Sequence, residues 1–306
     1  MANLRDIKNR IKSVKSTGKI TQAMKMVAAA KVKKAENAAK EARPYSDFLV
    51  NLFSQIMANE PDLDFKEGKF NSSLENFPEL LKKREVDTVG ILVITSDKGL
   101  AGSYNTNIIK KTLETIVEYQ KQGIKVKLFI SGIKGISSLK KMVNQNEVEI
   151  VKSYSKIPAV VEVEVANMIA EDLADAYIHD EIDKIEVITT RFISMLSYKV
   201  GKQTLLPIEA PIKSAENKTV EAQMLFKPNE EAVLQKLVPL YVANCVFRAM
   251  REASASELAA RMNAMSNATK NAEEIVRSLS ITYNKARQYS ITQEINEVVS
   301  GANAIE

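Results

Sequence analysis

Residues 258–286, LAARMNAMSNATKNAEEIVRSLSITYNKA, repeat a seven-residue pattern of apolar and small side chains. The distance between these positions alternates between four and three residues over eight consecutive steps, which is the pattern of a coiled-coil seam. The seam positions are Leu258, Met262, Met265, Thr269, Ala272, Val276, Leu279, Tyr283 and Ala286. The pattern therefore predicts a helix whose seam packs against a second helix.

The predicted helix extends well beyond this stretch in both directions. Neither glycine nor proline occurs in residues 240–300, and these 61 residues correspond to about 90 Å of α-helix. After Ala286 the apolar spacing jumps by five residues and then resumes at Ile291, Ile295, Val298, Ala302 and Ile305. A break in heptad phase changes the local supercoil, so we expect this last stripe to face another direction and to need a partner of its own.

The N-terminal segment is the expected antiparallel partner of this helix. Its seam begins with apolar residues and continues with mostly small ones, at Leu4, Ile7, Ile11, Val14, Ile20, Met24, Val27, Ala28, Lys31, Ala35, Ala38, Ala39 and Ala42. Because proline disfavours the α conformation in the residue before it, Arg43-Pro44 predicts a bend or an end of the helix. The C-terminal helix is longer, so its last turns are expected to extend past the partner.

Positive charge is concentrated at the N-terminus. Residues 1–43 contain twelve Lys and Arg against three acidic residues, a local charge of +9, so the remaining 263 residues sum to −4. A basic arm of this kind predicts an acidic partner, which the sequence leaves open as nucleic acid, an anionic surface or an acidic protein segment.

The middle of the chain alternates strand and helix patterns. Strands are predicted at 89–94, 125–130, 147–151 and 184–190, with an edge hairpin at 199–207, and helices at 108–120, 136–143 and 160–177. This alternation favours an open, mostly parallel, Rossmann-like sheet, so the fold class is α/β with a long antiparallel coiled coil of the two ends. The predicted divisions are 1–57 (N-terminal helix), 58–85 (a mobile connection), 86–212 (α/β domain), 213–228 (connection or foot) and 229–306 (C-terminal helix).

The sequence contains no constellation of residues typical of catalysis. The loop Ser96–Gly102 follows the first strand, where such folds bind ligands, but neither a GxGxxG nor a GxxxxGK[ST] motif is present. Asp97 with Lys98 is interpreted as a local charge pair or an interface contact. His179 is expected at a helix end and Cys245 inside the long helix. We therefore expect no catalytic residues, no metal and no cofactor bound by this chain.

The sequence also bears on location. No stretch approaches eighteen consecutive apolar residues, so no transmembrane helix is expected. The charged beginning MANLRDIKNR lacks the apolar region of a secretory signal. The single cysteine fits a reducing compartment.

Three stretches resemble the gamma subunit of bacterial F-type ATP synthases. Residues 16–31, STGKITQAMKMVAAAK, resemble its opening helix, and residues 96–105, SDKGLAGSYN, resemble its central loop. Residues 283–302 resemble its C-terminal signature through YNKARQ followed by SITQEINEVVSGA. The resemblance spans nearly the whole chain in the same order, although the family loop more often has Arg at position 98 and often has Cys at position 101.

The resemblance implies a non-catalytic rotor shaft that couples ion-driven rotation of a membrane ring to ATP synthesis or hydrolysis. The coiled coil would lie inside a hexamer of three alpha and three beta subunits, and Mg-ATP or ADP would be bound by those partners. The other end would contact an epsilon-type subunit and the c-ring. The chain would then be peripheral, at the cytoplasmic face of the cell membrane, and attached only through its partners.

The resemblance also implies partner-binding residues. Met24 and Lys25 would lie near the moving lower part of beta, where acidic segments would face the basic helix. Arg287, Gln288 and Thr292 would contact a loop of beta, and Glu294 belongs to the same signature without a separate role. The foot near the ring would contain Met224, Leu225 and Phe226. Two alternatives stay open: a basic coiled-coil protein that binds nucleic acid, and an α/β enzyme with helical extensions.

Overall fold

The computed structural model describes residues 4–59, 73–144, 147–158, 160–208 and 230–303. In chain order the elements are α1 (Leu4–Asn59), a 3-10 turn (Ser73–Glu75), α2 (Phe77–Leu81), β1 (Thr88–Ile94), α3 (Tyr104–Lys121), β2 (Lys125–Ser131), α4 (Ile133–Met142), β3 (Val148–Tyr154), α5 (Val163–Ile178), β4 (Lys184–Ser194), β5 (Ser197–Leu206) and α6 (Glu230–Asn303).

The five strands form one sheet in the order β3-β2-β1-β4-β5. Strands β1 to β4 pair in parallel, and β5 pairs antiparallel with β4 at the edge. Helices α3, α4 and α5 lie in the crossovers between parallel strands, because a parallel connection needs a long return segment. The predicted mostly parallel sheet with an edge hairpin is confirmed.

The central strand β1 is buried on both faces of the sheet. Leu92 and Ile94 lie in a core cluster with α5, whereas Ile91 and Val93 lie in a second cluster with α3 and α4. This two-sided burial is the reason for the continuous apolar run in β1, since a strand with one wet face would alternate with polar residues.

The chain divides into two compact units, one of residues 1–29 with 261–306 and one of residues 30–260. In the unit of residues 30–260, parts of α1 and α6 belong to the core of the sheet. Phe53 of α1 is fully buried, and its ring stacks on Tyr241 of α6 at 5.2 Å between centroids. The same cluster contains Leu49, Leu234, Leu237, Val238, Val242, Val246 and Met250. These parts of the two helices are therefore stabilised by burial against the sheet as well as by pairing.

A buried polar cluster, which the sequence did not reveal, joins α1, α6 and β4 in this unit. The Glu252 side chain is 6% exposed, and one carboxylate oxygen accepts a hydrogen bond from the backbone N–H of Phe192 at 3.3 Å. Arg43 Nε lies 3.4 Å from the other oxygen, and Arg43 Nη2 donates to the Phe192 carbonyl at 3.2 Å. Arg248 Nε lies 3.6 Å from the same carboxylate. Because a buried carboxylate is costly unless paired, these contacts fix the three elements together.

Of the two outcomes predicted at Arg43-Pro44, a bend or an end of the helix, the end is not found. Helix α1 contains Pro44 and continues to Asn59. Proline removes one backbone hydrogen bond, but the following turns bury Leu49 and Phe53 in the core, so tertiary packing outweighs the local penalty.

The described part of the predicted mobile connection, from residue 73 onward, packs on the α/β domain. Leu80 is fully buried. Arg84 is ion-paired with Glu79 and with Asp180, and its guanidinium lies 4.7 Å from the centroid of the Tyr177 ring.

In the unit of residues 1–29 and 261–306, α1 and α6 pair in an antiparallel register. Thr21 Oγ1 lies 2.8 Å from Thr269 Oγ1, and a Cβ added to Gly18 would lie 3.3 Å from the Cβ of Ala272. The residue numbers in both pairs sum to 290, which defines the register. All nine predicted seam positions of α6 between residues 258 and 286 are buried or half-buried, so that prediction is confirmed.

Three positions predicted for the α1 seam are wrong: Ile20, Val27 and Lys31. Ile20 and Val27 are 58% and 56% exposed, and Lys31 is exposed as well. The heptad phase instead continues from Val14 to Gly18 and Thr21, whose small or polar side chains gave no apolar signal. Small seam residues permit the close helix approach seen at Gly18.

Candidate partner-binding surfaces

The last turns of α6 extend past the described part of α1. In the register above, Leu4 lies opposite Ala286, so residues 291–303 have no α1 partner among the described residues. At about 1.5 Å per residue, this stretch of α6 is about 20 Å long.

An apolar stripe lies on this unpaired end. Ile291, Ile295 and Val298 are 46%, 57% and 72% exposed. The heptad seam would continue at Ser290, which is rotated by about 100° from Ile291 on an α-helix. Because residues 291–300 are all exposed, the direction in which this stripe faces relative to the seam stays a prediction. An exposed apolar stripe is typical of a contact surface.

The predicted polar contacts surround this stripe. Arg287, Gln288, Thr292 and Glu294 are all exposed. Thr292 Oγ1 donates to the Gln288 carbonyl at 2.9 Å, so its hydrogen is used within the helix and its oxygen remains an acceptor. Glu294 accepts a hydrogen bond from Ser290 Oγ at 3.2 Å. The guanidinium of Arg287 and the amide of Gln288 are the exposed donors of this group.

The second predicted contact lies elsewhere along the helices. Met24 is half-buried and Lys25 is exposed. In the same register Met24 lies opposite Ser266, about 30 Å along α6 from Arg287. The structure therefore separates the two predicted contact points. The foot residues Met224, Leu225 and Phe226 lie outside the described residues.

One face of the first turns of α1 is open and strongly basic. Five of its eight residues are cations: Arg5, Lys8, Lys12, Lys15 and Lys19. The other three are Asn9, Ile11 and Ser16. The sequence revealed the excess of charge in this arm, but not its alignment along one face.

The loop after β1 is held by the protein's own groups. The Asp97 carboxylate accepts hydrogen bonds from the backbone N–H groups of Ile133 and Ile157, both at 3.0 Å. Asn105 Oδ1 accepts from the backbone N–H of Ser96 at 3.0 Å. Asp97 thus fixes the start of α4 and the segment after β3, which is a structural role.

Two glycines beside this loop make room for Thr95 instead of a phosphate. A Cβ on Gly132 would lie 2.4 Å from the Thr95 carbonyl oxygen, and a Cβ on Gly135 would lie 2.5 Å from Thr95 Oγ1. In dinucleotide-binding folds, glycines at this edge let the backbone approach the pyrophosphate. Here the protein fills that space, which supports the interpretation of the loop as a tight strand-to-helix turn.

The remaining reactive side chains have local roles. His179 follows α5, and its Nδ1 lies 2.9 Å from the Asp175 carbonyl oxygen, so the expected helix end is confirmed. Burial raises the pKa of the Cys245 thiol to about 11, which disfavours the reactive thiolate. Among the described residues, no group of three His, Cys, Asp or Glu side chains is arranged to hold a metal ion. No helix in the described ranges has the length and apolarity to cross a membrane.

These features define a partner-binding protein whose candidate surfaces lie along paired helices attached to an α/β domain. A family model described as ATP synthase matches residues 3–305. An ATP synthase gamma chain from Synechococcus sp. is 39% identical and one from Picosynechococcus sp. is 38% identical, each with both chains fully covered. The chain belongs to the ATP synthase gamma chain family.

Solved structures agree with this assignment. The chain resembles one from the central stalk and c-ring of the Tetrahymena thermophila mitochondrial ATP synthase, with 27% identity, a TM-score of 0.55, and 81% of this chain and 99% of the other covered. A chain of the Euglena gracilis mitochondrial ATP synthase gives a TM-score of 0.66 at 18% identity, covering 99% and 94%, and supports the fold alone.

Proposed function

We propose that this chain is the central rotor shaft of an ATP synthase. The observation that carries the proposal is the unpaired end of α6 with its exposed apolar stripe, in a chain that belongs to the gamma chain family. An apolar stripe on an isolated helix end is unfavourable in water, and a collar formed by partner subunits would bury it.

The mechanism is mechanical coupling. Three alpha and three beta subunits would surround the helices, an epsilon-type subunit and the c-ring would bind at the foot, and ion flow would turn the assembly. Each shaft angle would favour a different affinity state at each beta site, which requires contacts of different energy in each state. Mg-ATP and ADP would be bound by the partner subunits, and this chain would be attached to the cytoplasmic face of the membrane through them.

Individual contacts are assigned by resemblance to the family, and the exposure of Arg287, Gln288, Thr292 and Lys25 is compatible with them. Arg287 and Gln288 would donate hydrogen bonds to a beta loop, and Thr292 would accept one, so that the shaft is held at a defined angle. Met24 and Lys25 would contact the moving lower part of beta about 30 Å away along the helices.

The first test is purification from membranes through a tag on this chain. We expect alpha and beta subunits to co-purify and the complex to hydrolyse Mg-ATP. Recovery of the chain alone, or with nucleic acid and without ATPase activity, would contradict the proposal.

The residue roles need matched variants. Arg287→Ala with Gln288→Ala should lower turnover or the number of ions pumped per ATP in the assembled complex, because two donors are lost. Arg277→Ala, an exposed arginine earlier on α6, is the control and should leave both quantities unchanged. Equal turnover and pumping in the double variant and the control would remove the assignment.

Lys25 is tested by charge reversal. Lys25→Glu should change the ratio of transport to hydrolysis, since it would repel an acidic beta segment. Lys34→Glu, an exposed position on the same helix, serves as the control. A wild-type ratio for Lys25→Glu would exclude the proposed contact.

A further inference from the structure

The α/β domain makes polar contacts with α6 within a single turn of that helix. Thr189 Oγ1 of β4 donates a hydrogen bond to the Ala249 carbonyl at 3.3 Å, and the Tyr104 hydroxyl of α3 donates one to the Ala253 carbonyl at 3.0 Å. Glu252, which accepts a hydrogen bond from β4, lies between these two acceptors along the chain. These contacts are therefore concentrated where α6 carries the buried polar cluster.

Two ion pairs join α1 to α6 at the same place. Arg43 Nε lies 3.4 Å from the Glu252 carboxylate, and Arg248 Nη1 lies 3.3 Å from the Asp47 carboxylate. The residue numbers of both pairs sum to 295, so the pairs are about one turn apart on each helix. Arg248 Nε also lies 3.6 Å from Glu252, which links the two pairs. A rotation of either helix by one residue position, about 100°, would break both pairs.

The end of β4 is held by both helices through one residue. The backbone N–H of Phe192 donates to Glu252 at 3.3 Å, and Arg43 Nη2 donates to the Phe192 carbonyl at 3.2 Å. The Phe192 side chain is buried in a cluster with residues of both helices: Val32, Ala35, Ala255, Leu258 and Ala259. The polar cluster therefore holds α1, α6 and the sheet against one another.

Stability alone does not account for charged side chains at this junction. The desolvation of a buried ion pair offsets much of its Coulomb attraction, and apolar side chains of similar volume often give equal or greater stability. Ion pairs with hydrogen bonds differ from apolar packing because they require a particular geometry, whereas apolar burial has no preferred direction. The cluster is thus suited to holding one angle between the helices and the sheet.

We propose that Arg43, Arg248 and Glu252 are positioning residues that fix the angle between the helix pair and the α/β domain, so that a torque on the domain turns the helices without slip. This role rests on the proposed function, because it requires partners at the foot to turn the domain. Packed interfaces have discrete arrangements and do not deform continuously. The domain and the adjoining turns of both helices would therefore rotate as one body, with little twist stored at their junction.

The test variant removes the charges of this cluster and keeps its volume. It combines Arg43→Met, Arg248→Met and Glu252→Gln in the full chain and is called the cluster variant. Methionine is a flexible apolar side chain that fills irregular gaps, and the glutamine amide oxygen can still accept a hydrogen bond from the Phe192 N–H. The Asp47 side chain, which loses Arg248, is 65% exposed and stays solvated. The cluster variant should therefore fold as stably as wild type.

The control makes matching changes in a second buried ion cluster. The Glu186 side chain is 3% exposed, and its ion-pair partners Lys184 of β4 and Lys202 of β5 lie at 2.9 and 3.3 Å. The control combines Lys184→Met, Glu186→Gln and Lys202→Met, so it loses two positive charges and one negative charge, as the cluster variant does. Neither α1 nor α6 contributes to these ion pairs.

Two measurements separate the angle from the stability. Urea unfolding of each full chain gives its midpoint. Single-molecule rotation gives the angular spread: the alpha and beta subunits are fixed to a surface, and a bead is attached to the domain through Lys121→Cys, an exposed position at the end of α3.

We expect the cluster variant to keep the wild-type urea midpoint and to show about twofold greater variance of the bead angle during pauses, because thermal displacement grows as the junction becomes less stiff. The control should equal wild type in both measurements. If the wild-type chain does not assemble with alpha and beta subunits, the proposed function itself fails. If it assembles and the cluster variant shows the wild-type angular spread, only the positioning role fails. Equal broadening in the control would also overturn that role.

A second variant decides the case in which the cluster variant unfolds at lower urea than wild type. Arg43→Met alone leaves Glu252 paired with Arg248, so the buried carboxylate keeps a partner. We expect its angular spread to exceed that of wild type at an unchanged midpoint, with Lys184→Met as its control. A wild-type spread for Arg43→Met, or a broader spread together with a lower midpoint, would show that the cluster only stabilises the fold and would overturn the proposal.

Discussion

Substitution of Gly132 by alanine should disrupt the turn between β2 and α4 severely. Gly132 has φ of +101° and ψ of 133°, a conformation that is costly for any residue with a Cβ. The added Cβ would lie 2.4 Å from the Thr95 carbonyl oxygen and 2.6 Å from the Thr95 carbonyl carbon. These are backbone atoms held by the hydrogen bond from Thr95 N–H to the Ser131 carbonyl at 2.8 Å, so they cannot simply move aside.

Two costs add in this variant. The backbone conformation costs about 1–3 kcal/mol, and the overlap with fixed atoms costs about 1–3 kcal/mol more. The reduced entropy of the unfolded chain returns about 0.4–1 kcal/mol. We therefore expect Gly132→Ala to lower the free energy of unfolding by about 3 kcal/mol, the centre of a range of about 1–6 kcal/mol.

Two other glycines separate these costs. Gly123 has φ of +75° but open space around its Cβ position, so Gly123→Ala should cost only about 1–2 kcal/mol. Gly201 lies in β5 with open space and no left-handed φ, so Gly201→Ala should be neutral or slightly stabilising.

The assay is urea unfolding of the full chain, followed by near-ultraviolet circular dichroism of tyrosine. Seven of the nine tyrosines lie within residues 30–260, so this signal reports mainly on the unit that contains the substitutions. Equal destabilisation by Gly132→Ala and Gly123→Ala would contradict this prediction, because it would mean that Thr95 does not fill the space beside Gly132. That space would then be free for a ligand.

Three further predictions test other parts of the chain. Thr21→Val and Thr269→Val should each destabilise the helix pair by about 0.5–1.5 kcal/mol. The double variant should lose less stability than the sum of the two, because both partners of the hydrogen bond are then apolar. Strictly additive losses in thermal unfolding would contradict the contact. Burial raises the pKa of the Cys245 thiol from 9.0 to about 11. Alkylation of Cys245 by iodoacetamide at pH 8.5 should therefore be on the order of fiftyfold slower in the folded chain than in urea. Equal alkylation rates, measured by mass spectrometry, would exclude this burial. Burial also raises the pKa of Tyr177 from 10.0 to about 12. The unfolded state therefore loses this proton first, and the free energy of unfolding should fall as pH rises from 10 to 12. Tyr177→Phe should reduce this fall, and the same pH dependence of urea unfolding in the variant and the wild type would contradict the prediction.

Much of the fold was predictable from local patterns. The alternation of short apolar runs with helical segments predicted the parallel sheet, because burial on both faces requires uninterrupted apolar strands such as Val89–Ile94. The seam of α6 was predictable because its phase is kept over eight steps. The α1 seam was not, because the residues that fill it, Gly18 and Thr21, carry little apolar signal while exposed Ile20 and Val27 carry a strong one.

The candidate partner-binding surfaces were also predictable from local patterns only in part. Exposure of the stripe at Ile291 followed from the phase break and from the greater length of the second helix. The polar residues Arg287 and Gln288 were found only by resemblance to a family, since nothing in their spacing distinguishes them from other solvated side chains. The roles assigned to them, and to Lys25, remain predictions.

Local patterns in the sequence specify the features that depend on neighbours along the chain: the helices, the strands, the heptad phase and the excess positive charge. Which distant groups come into contact depends on the folded chain as a whole. Glu252 is 209 residues from Arg43, yet the two share a buried cluster with Phe192. Pro44 remains helical because the turns that follow it are buried, as the fully buried side chain of Phe53 shows. The periodicity of apolar residues predicts which face of a helix is buried. The free energy of burying a charged side chain depends instead on the partner that the fold places beside it.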